Sequence, residues 1–418
     1  MELTRLRGFR DLIGVDARAM SMVEDRAREL VARYGFKEIR VPILERSELY
    51  RRTSGETSDI VEKQMYVFND NDEAHTSVAL RPEGTAGIAR AYIEAGLDHS
   101  DPEQRFFYAG PMFRRERPQK GRYRQHYQFG VEVFGRADPA CDAELLIMID
   151  ALSRSLGLTF SFELNSIGDA NCRPAFRDAV LNWGRAHLAE LCEDCHLRLE
   201  RNPLRLLDCK NDVKLMESAP KGLDYLCDPC RIHFDTVRSL MDAAGVSHVV
   251  NPRLVRGLDY YTRTTFEVMA TGLGAQNTVV AGGRYDGLIE ALGGAAVAGI
   301  GFGLGLDRMA LVLAEAGSVP TLTSDAAIIA LGTEATRRAV MLAQILRAAN
   351  LRVELLSPER KLKALLNRAD KIGARFAVII GDDELARGVV QLRDLRKSVQ
   401  REVALDDVAA AIARGAGD

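Results

Sequence analysis

Residues 125–134 read QHYQFGVEVF, and their alternation constrains the fold more tightly than any other stretch. A strand sends successive side chains to opposite faces. Tyr127, Phe129, Val131 and Val133 therefore share one face, and His126, Gln128, Gly130 and Glu132 share the other. The first face needs a core to pack on. The second sets an amide and a carboxylate on a sheet surface, which is either a solvated face or the floor of a ligand site. Residues 105–113, RFFYAGPMF, also have strand character, so 105–134 is expected to form two strands joined by a loop. Between Arg114 and Arg124 that loop carries six cations, Arg114, Arg115, Arg117, Lys120, Arg122 and Arg124, against one anion, Glu116. Folding brings these like charges together, and a bound polyanion relieves the repulsion.

At 418 residues the chain is long enough for two or three domains. A formal net charge of -3 argues against a protein that coats nucleic acid without selectivity, yet permits a local basic surface. From Thr321 onward, 16 Lys and Arg stand against 13 Asp and Glu, a weak pointer to an RNA-facing C-terminal module. No apolar run reaches the ~18 residues of a membrane span, and MELTRLRGFRDL has no apolar stretch behind its charges. A cytoplasmic location is expected. Seven cysteines without a secretory signal fit a reducing compartment.

Along the chain, residues 16–34 place Ala19, Met20, Val23, Ala27, Leu30, Val31 and Tyr34 on one helical stripe, with Asp16 as N-cap and Gly35 as terminator. FKEIRVPILE follows as a strand whose Pro42 favours an edge or interface position. A long helix feeding such an edge makes a reasonable dimer surface. Pro82-Glu83-Gly84-Thr85 separates a strand from a helix. That tetrad is either turn and capping chemistry or a site where helix-start amides hold an anion and Glu83 accepts from an amino group. A helix is expected over 141–157 and a strand at FSFELNSIGD. Residues 171–251 turn helical, charged and Cys-containing, as an inserted subdomain would.

Strands resume at PRLVRGLDYYTRTTFEVMA and at QNTVVAGGRYDGLIEALGG, the latter with a turn centred on Gly283. In AGIGFGLGLDRM, Gly299, Gly301, Gly303 and Gly305 fall on one strand face and Ile300, Phe302, Leu304 and Leu306 on the other. Four glycines leave a flat floor on which a planar ring fits, with Arg308 in the helical turn beyond. Leu304 stands where a dinucleotide fingerprint needs its third glycine. From 323 onward, strands and helices alternate as in a compact mixed α/β module, whose Lys361, Lys363, Arg368 and Lys371 read as a solvated basic face.

No Walker-type phosphate loop, HExxH or GxSxG motif is present. Cys192-x2-Cys195 and Cys227-x2-Cys230 have the pair spacing of a zinc site, although the 31 residues between the pairs exceed the usual ~15–20. Cys209 lies between them and His196 is adjacent. A structural zinc and a set of reduced thiols are the two readings.

In order and spacing, RTSGETSDIVEKQMYVF, LRPEGTA, GPMFRRERPQKGRYRQ, LNSIG, LVRGLDYYTRTTFE, GGRYDGL and GIGFGLGLDRM resemble the signature segments of the histidyl-tRNA synthetases, a class II aminoacyl-tRNA synthetase family. The resemblance covers nearly the whole chain. It implies an α+β fold: an antiparallel-sheet catalytic domain over 1–322, with the helical insertion at about 171–251, and an α/β anticodon-binding domain over 323–418. It implies ATP with Mg2+, L-histidine and tRNA(His) as reactants, and a homodimer.

Carried over by position, Arg114 and Arg308 match arginines on the nucleotide, and Arg256 matches an arginine acting on the α-phosphate where other class II enzymes use a metal ion. Glu116 lies near the adenine, with Arg122 and His126 beside the nucleotide. Glu83, Gly84, Thr85 and Gln128 match the surroundings of the amino and carboxylate groups; Glu132 and Tyr261 read the imidazole, with Tyr260 beside them. Arg117 and Gln119 match the loop that reaches the acceptor end of tRNA. His126 departs from the family, which often has Phe there, so an imidazole replaces the ring that stacks on adenine. A catalytically silent paralogue, the regulatory subunit of ATP phosphoribosyltransferase, shares the fold and the histidine pocket but lacks the C-terminal domain and the ATP-site arginines. This chain keeps both.

Overall fold

The computed structural model describes residues 3–55, 58–209, 211–255, 260–270, 277–320, 323–357 and 360–416. They divide into two compact units, Met1–Val319 and Pro320–Asp418.

The first unit begins with α1 (Gly14–Arg33), whose Ala19, Met20, Val23, Ala27 and Val31 are buried at three- and four-residue spacing. Asp16 does not cap it. Gly14, at φ +60, turns the chain early, so Ile13 holds the N-cap position and Asp16 lies in the first turn, where its charge still suits the helix dipole. Gly35, at φ +77, ends the helix as expected.

The strand expected over FKEIRVPILE is two strands. β1 (Lys37–Glu38) pairs in parallel at the edge of the main sheet, and the chain leaves it before Pro42. β2 (Leu44–Arg46) then joins β3 (Tyr66–Asn69) and β4 (Ser77–Leu80) in a small sheet of order β2-β4-β3. Around it run α2 (Ser47–Ser54), α3 (Thr85–Glu94) and the short α4 (Leu97–Ser100).

The charged hairpin forms as read. β5 (Gln104–Phe113) and β6 (Gln125–Phe134) are antiparallel in register from Gln104 opposite Phe134 to Phe113 opposite Gln125. Then come α5 (Pro139–Ser155), β7 (Phe160–Ser166), α6 (Arg173–Ala186), α7 (Glu193–Arg201), α8 (Asp228–Ala243), β8 (His248–Val250), β9 (Thr262–Ala270), β10 (Thr278–Arg284), α9 (Leu288–Ala291), β11 (Gly299–Gly305) and α10 (Leu306–Glu315). The main sheet has the order β1-β5-β6-β11-β10-β9-β7-β8, antiparallel from β5 to β7. Gly283 sits inside β10 at a bulge, not at the centre of a turn.

One face of this sheet is the core. Phe129, Val131 and Val133 of β6 and Ile300, Phe302 and Leu304 of β11 are buried with residues of α1, α5, α8 and α10. The other face carries a second core, in which Phe106, Tyr108 and Phe134 pack with Ile88, Ala89 and Tyr92 of α3, and the site opens beside it.

The segment read as inserted divides. Phe176, Val180, Leu199, Leu206 and Met216 form a small core of their own. By contrast, Phe234, Val237 and Met241 of α8 belong to the main core, and β8 pairs with β7. Residues 228–251 therefore return to the main layer.

In the second unit, β12 (Ala326–Leu331), α11 (Thr333–Ala348), β13 (Val353–Leu355), α12 (Leu362–Lys371), β14 (Phe376–Gly381), α13 (Asp382–Ala386), β15 (Val389–Asp394), β16 (Val399–Ala404) and α14 (Val408–Ala416) follow the expected pattern. The sheet order is β13-β12-β14-β15-β16, parallel at β12 and antiparallel beyond β14. Lys361, Lys363, Arg368 and Lys371 are exposed.

Candidate functional site

A cavity of about 430 Å³ opens over the non-core face of the main sheet, across β6, β11 and β10. Glu83, Thr85, Gln128, Tyr260, Tyr261 and Tyr285 line one part of it; Arg114, Glu116, Arg122, His126, Glu267 and Arg308 line another. Ten of the residues singled out in the sequence are brought together in this wall.

Glu132 is fully buried and does not itself line the cavity; it lies behind Thr85 and Tyr285, which do. One of its oxygens accepts from Thr85 Oγ1 at 2.7 Å, and the other accepts from the hydroxyl of Tyr285. Burial pushes its carboxyl up to about 8, with the nearby Glu83 charge adding to the rise and the two hydroxyls opposing it. Glu83 is itself buried, and its oxygens accept from the amides of Thr85 at 2.6 Å and Ala86 at 3.0 Å, at the start of α3. The capping and ligand readings of this tetrad are thus compatible, because each carboxylate oxygen can accept twice. Burial raises the Glu83 carboxyl as well.

Gln128 Oε1 is buried without a hydrogen-bond partner among the described residues, although its side chain lines the cavity. Buried acceptors are rarely left unpaired, so this oxygen has accepting capacity that the described residues leave unused.

Gly301, Gly303 and Gly305 of the glycine strand line the cavity, and the strand also makes room within the protein. A Cβ on Gly301 would overlap the Glu132 carboxylate, one on Gly303 the Gln128 amide, and one on Gly299 the ring of Tyr285. These glycines make room for the protein's own polar side chains. Gly305 alone of the four would meet no clash: a Cβ there would only touch the Arg308 side chain at 3.9 Å. Gly84 does not line the cavity: it makes room for the buried ring of Tyr108, which also lies against Gly130.

Arg114 donates through Nε to the Pro82 carbonyl at 2.8 Å, and Arg308 donates to the carbonyls of Thr278 at 2.5 Å and Gly121 at 3.2 Å. These backbone anchors fix the direction of each guanidinium. Glu116 pairs with Arg122 at 3.2 Å and lies 3.9 Å from Arg114. His126 sits among Arg114, Arg308 and Arg122, and burial together with those charges pushes its imidazole down to about 3, leaving a neutral ring at physiological pH. Burial also lowers Arg308, aided by Arg122 and Arg114. An anion entering here meets cations already crowded together.

Arg117 and Gln119 are exposed on the loop and do not line the cavity. Arg256 lies outside the described residues. Sequence reading missed Tyr285, Asp307 and Tyr108. Asp307 accepts from the Tyr127 amide at 2.6 Å and from Arg10 at 2.7 Å, which ties β6 and the N-terminal segment to the turn that presents Arg308. Tyr285 stands within GGRYDGL, where its position after the two glycines of β10 was the available signal.

The four cysteines read as one zinc quartet are not brought together. Cys227 and Cys230 join Asp169 and Cys172, whereas Cys192 and Cys195 join Cys209 and Asp212. The folding of 171–251 into two parts separates the pairs. His196 Nε2 is 2.9 Å from the Leu188 carbonyl and belongs to neither group.

A family model described as Histidyl-tRNA synthetase matches residues 8–309, and one described as Anticodon binding domain matches residues 325–414. The histidine–tRNA ligase of Geobacter sulfurreducens is 48% identical over 415 residues, covering 98% of this chain and 100% of that protein. That of Anaeromyxobacter sp. (strain K) is 45% identical, covering 99% of this chain and 100% of its own length. The apo crystal structure of the Staphylococcus aureus histidyl-tRNA synthetase superposes with a TM-score of 0.81 at 34% identity, over 98% of this chain and 100% of that one. With one family model spanning 8–309 and near-half-identical relatives matched along their whole length, the chain belongs to the histidyl-tRNA synthetase family.

Proposed function

We infer that the protein is a histidine–tRNA ligase. It activates L-histidine with ATP and then esterifies the 3′-terminal ribose of tRNA(His). The observation that carries this reading is the division of one cavity into a buried acid–amide–tyrosine part and an arginine part.

In the first step a histidine carboxylate oxygen attacks the α-phosphorus of ATP. The new O–P bond forms as the bond to the bridging oxygen breaks, giving histidyl-adenylate and pyrophosphate. The reaction needs alignment and fixed positive charge rather than a protein nucleophile. Arg114 and Arg308 supply that charge; their planar forks suit phosphate oxygens, and their backbone anchors set the geometry in advance. Arg256 is assigned to the α-phosphate on the family resemblance. Glu116 and Arg122 border the adenine, against which the neutral His126 ring stacks. Mg2+ enters with ATP as part of the substrate, and the carboxylates of Glu116 and Glu267 in the cavity wall are oxygen donors suited to a hard cation.

Histidine is held from its other end. Glu83, Thr85 and Gln128 surround its amino and carboxylate groups, while Glu132 and Tyr261 face the imidazole and Tyr260 packs beside them. Tyr260 and Tyr261 have ring centroids 4.7 Å apart, which supports an aromatic wall at that point. In the second step the ribose hydroxyl attacks the adenylate carbonyl, loses its proton, and AMP departs.

Residues 1–322 carry this chemistry, and 323–418 bind the anticodon. Arg117 and Gln119 meet the acceptor end, a role that suits their exposure. The exposed Leu44, Val67 and Phe68 of the small sheet support a homodimer. No described helix is long and apolar enough to cross a membrane, in keeping with a cytoplasmic enzyme. The regulatory-paralogue reading is disfavoured by Arg114 and Arg308 facing the cavity and by the anticodon-binding match.

Charging of a tRNA(His) transcript with labelled histidine tests the whole reading. Histidyl-tRNA formation dependent on ATP is expected. Histidine binding without charging would overturn the assignment in favour of a regulatory role.

A further inference from the structure

Six of the seven cysteines gather in two places, each with one aspartate. We propose that the helical segment binds two zinc ions, one held by Asp169, Cys172, Cys227 and Cys230, the other by Cys192, Cys195, Cys209 and Asp212.

Both clusters follow one plan. In each, a Cys-x2-Cys pair opens a helix: Cys192 is the N-cap of α7 and Cys227 the N-cap of α8, so Cys195 and Cys230 follow in the first turn, both fully buried. Facing each pair is a second arm of the same x2 spacing, made of one cysteine and one aspartate in opposite order, Asp169-x2-Cys172 and Cys209-x2-Asp212. In each of these arms the aspartate's backbone amide points at the cysteine sulfur, Asp169 at 3.3 Å from Cys172 Sγ and Asp212 at 3.4 Å from Cys209 Sγ. Amide donors of this kind stabilise a thiolate.

The separations are those of ligands on one ion. Tetrahedral zinc with Zn–S bonds of about 2.3 Å and Zn–O bonds of about 2.0 Å sets its sulfurs about 3.8 Å apart and sulfur about 3.5 Å from oxygen. Cys192 Sγ and Cys209 Sγ are 3.7 Å apart, and Cys209 Sγ is 3.5 Å from Asp212 Oδ2. In the other cluster Cys172 Sγ is 3.5 Å and Cys227 Sγ 3.9 Å from Asp169 Oδ1. All four donor atoms in each group lie within 4.8 Å of one another. Thiolate-rich, four-donor, closed sites are those of structural zinc.

The surroundings orient the ligands. Arg263 pairs with Asp169 Oδ2 at 3.3 Å, leaving Oδ1 toward the thiols. The Cys192 amide donates to Asp212 Oδ2 at 3.0 Å. Gly168, at φ +70, gives Cys172 its space: a Cβ there would overlap the sulfur. Such outer contacts fix carboxylates and thiolates in ligating positions. Each site would tie together segments distant in sequence, in a part of the chain whose own core is small.

The test is the metal content of the full-length chain, purified without chelator from zinc-supplemented medium. Two zinc ions per chain are expected. Cys172→Ala and Cys209→Ala should each hold one, and Cys141→Ala, outside both clusters, should hold two. Where a variant fails to fold, the wild-type protein decides: a mercurial titrated into it should release two zinc ions as six thiols react. One zinc per chain, iron in place of zinc, or thiols that titrate with no release of metal would each overturn the proposal.

Discussion

Gly301 lies directly across the β6–β11 pairing from Glu132, and a methyl group at 301 would overlap the Glu132 carboxylate. The glycine that weakens β11 as a strand is what lets a buried acid lie flat on the sheet, behind the cavity-lining Thr85 and Tyr285.

Gly301→Ala should therefore displace both Glu132 and the Val131 backbone carbonyl beside it on β6. A shift of about 1 Å in a positioning group can cost about 10²-fold, so kcat/KM for histidine in ATP/pyrophosphate exchange is expected to fall by that order. An unchanged kcat/KM for histidine would contradict this placement.

Glu132 gives the ligand-free protein a pH signature. Its folded value of about 8 lies above the ordinary 4.5. The folded state binds this proton more tightly than the unfolded chain, so the contribution is fully present below the unfolded pKa and is lost as pH rises through the folded one. Glu132→Gln does not titrate. In thermal melts the Tm of the variant relative to wild type should rise steadily between about pH 5 and about pH 9. A difference flat over that range would contradict a buried neutral acid.

Arg114 and Arg308 are held by backbone carbonyls before any ligand arrives. Replacing either with Ala removes a preorganised cation, and single-turnover adenylate formation is expected to slow by about 10²-fold or more. Arg114→Lys should recover only part of the loss, because an ammonium lacks the planar fork. Near-wild-type single turnover by Arg114→Ala would refute its role.

How far the sequence reached can be seen at particular residues. The alternation of β6 separated Phe129, Val131 and Val133 from Gln128 and Glu132, because a period of two is a local property of the backbone. Tyr285 and Asp307 were invisible to the same reasoning, since they matter through partners more than 150 residues away, Glu132 for the first and the Tyr127 amide and Arg10 for the second. Asp169 and Asp212 escaped for a similar reason: an aspartate gains meaning as a ligand only when the fold sets it among thiols. Pairing Cys-x2-Cys with Cys-x2-Cys looked sensible along the chain and failed in space. Residues 228–251 were read into the insertion because 171–251 is helical, charged and Cys-containing throughout, whereas Phe234, Val237 and Met241 of α8 pack in the main core.

The main core carries one buried ionic cluster. Arg284 and Asp142 are fully buried and paired, with His233 Nε2 2.8 Å from Asp142 and Asp286 2.9 Å from Arg284. Removing Asp142 leaves the buried Arg284 with Asp286 and the backbone carbonyls of Arg136 and Asp138 alone, and His233 without its carboxylate, so Asp142→Ala is expected to cost up to about 3–5 kcal/mol in urea unfolding. A loss under about 1 kcal/mol, the range of a surface pair, would contradict this.

The central claim is that one cavity joins a histidine pocket to a nucleotide site that performs adenylation. ATP/pyrophosphate exchange with each of the twenty amino acids tests it most directly. Exchange with histidine alone is the predicted result. No exchange with histidine, in protein that still binds it, would mean that the pocket is present without the chemistry and would contradict the account.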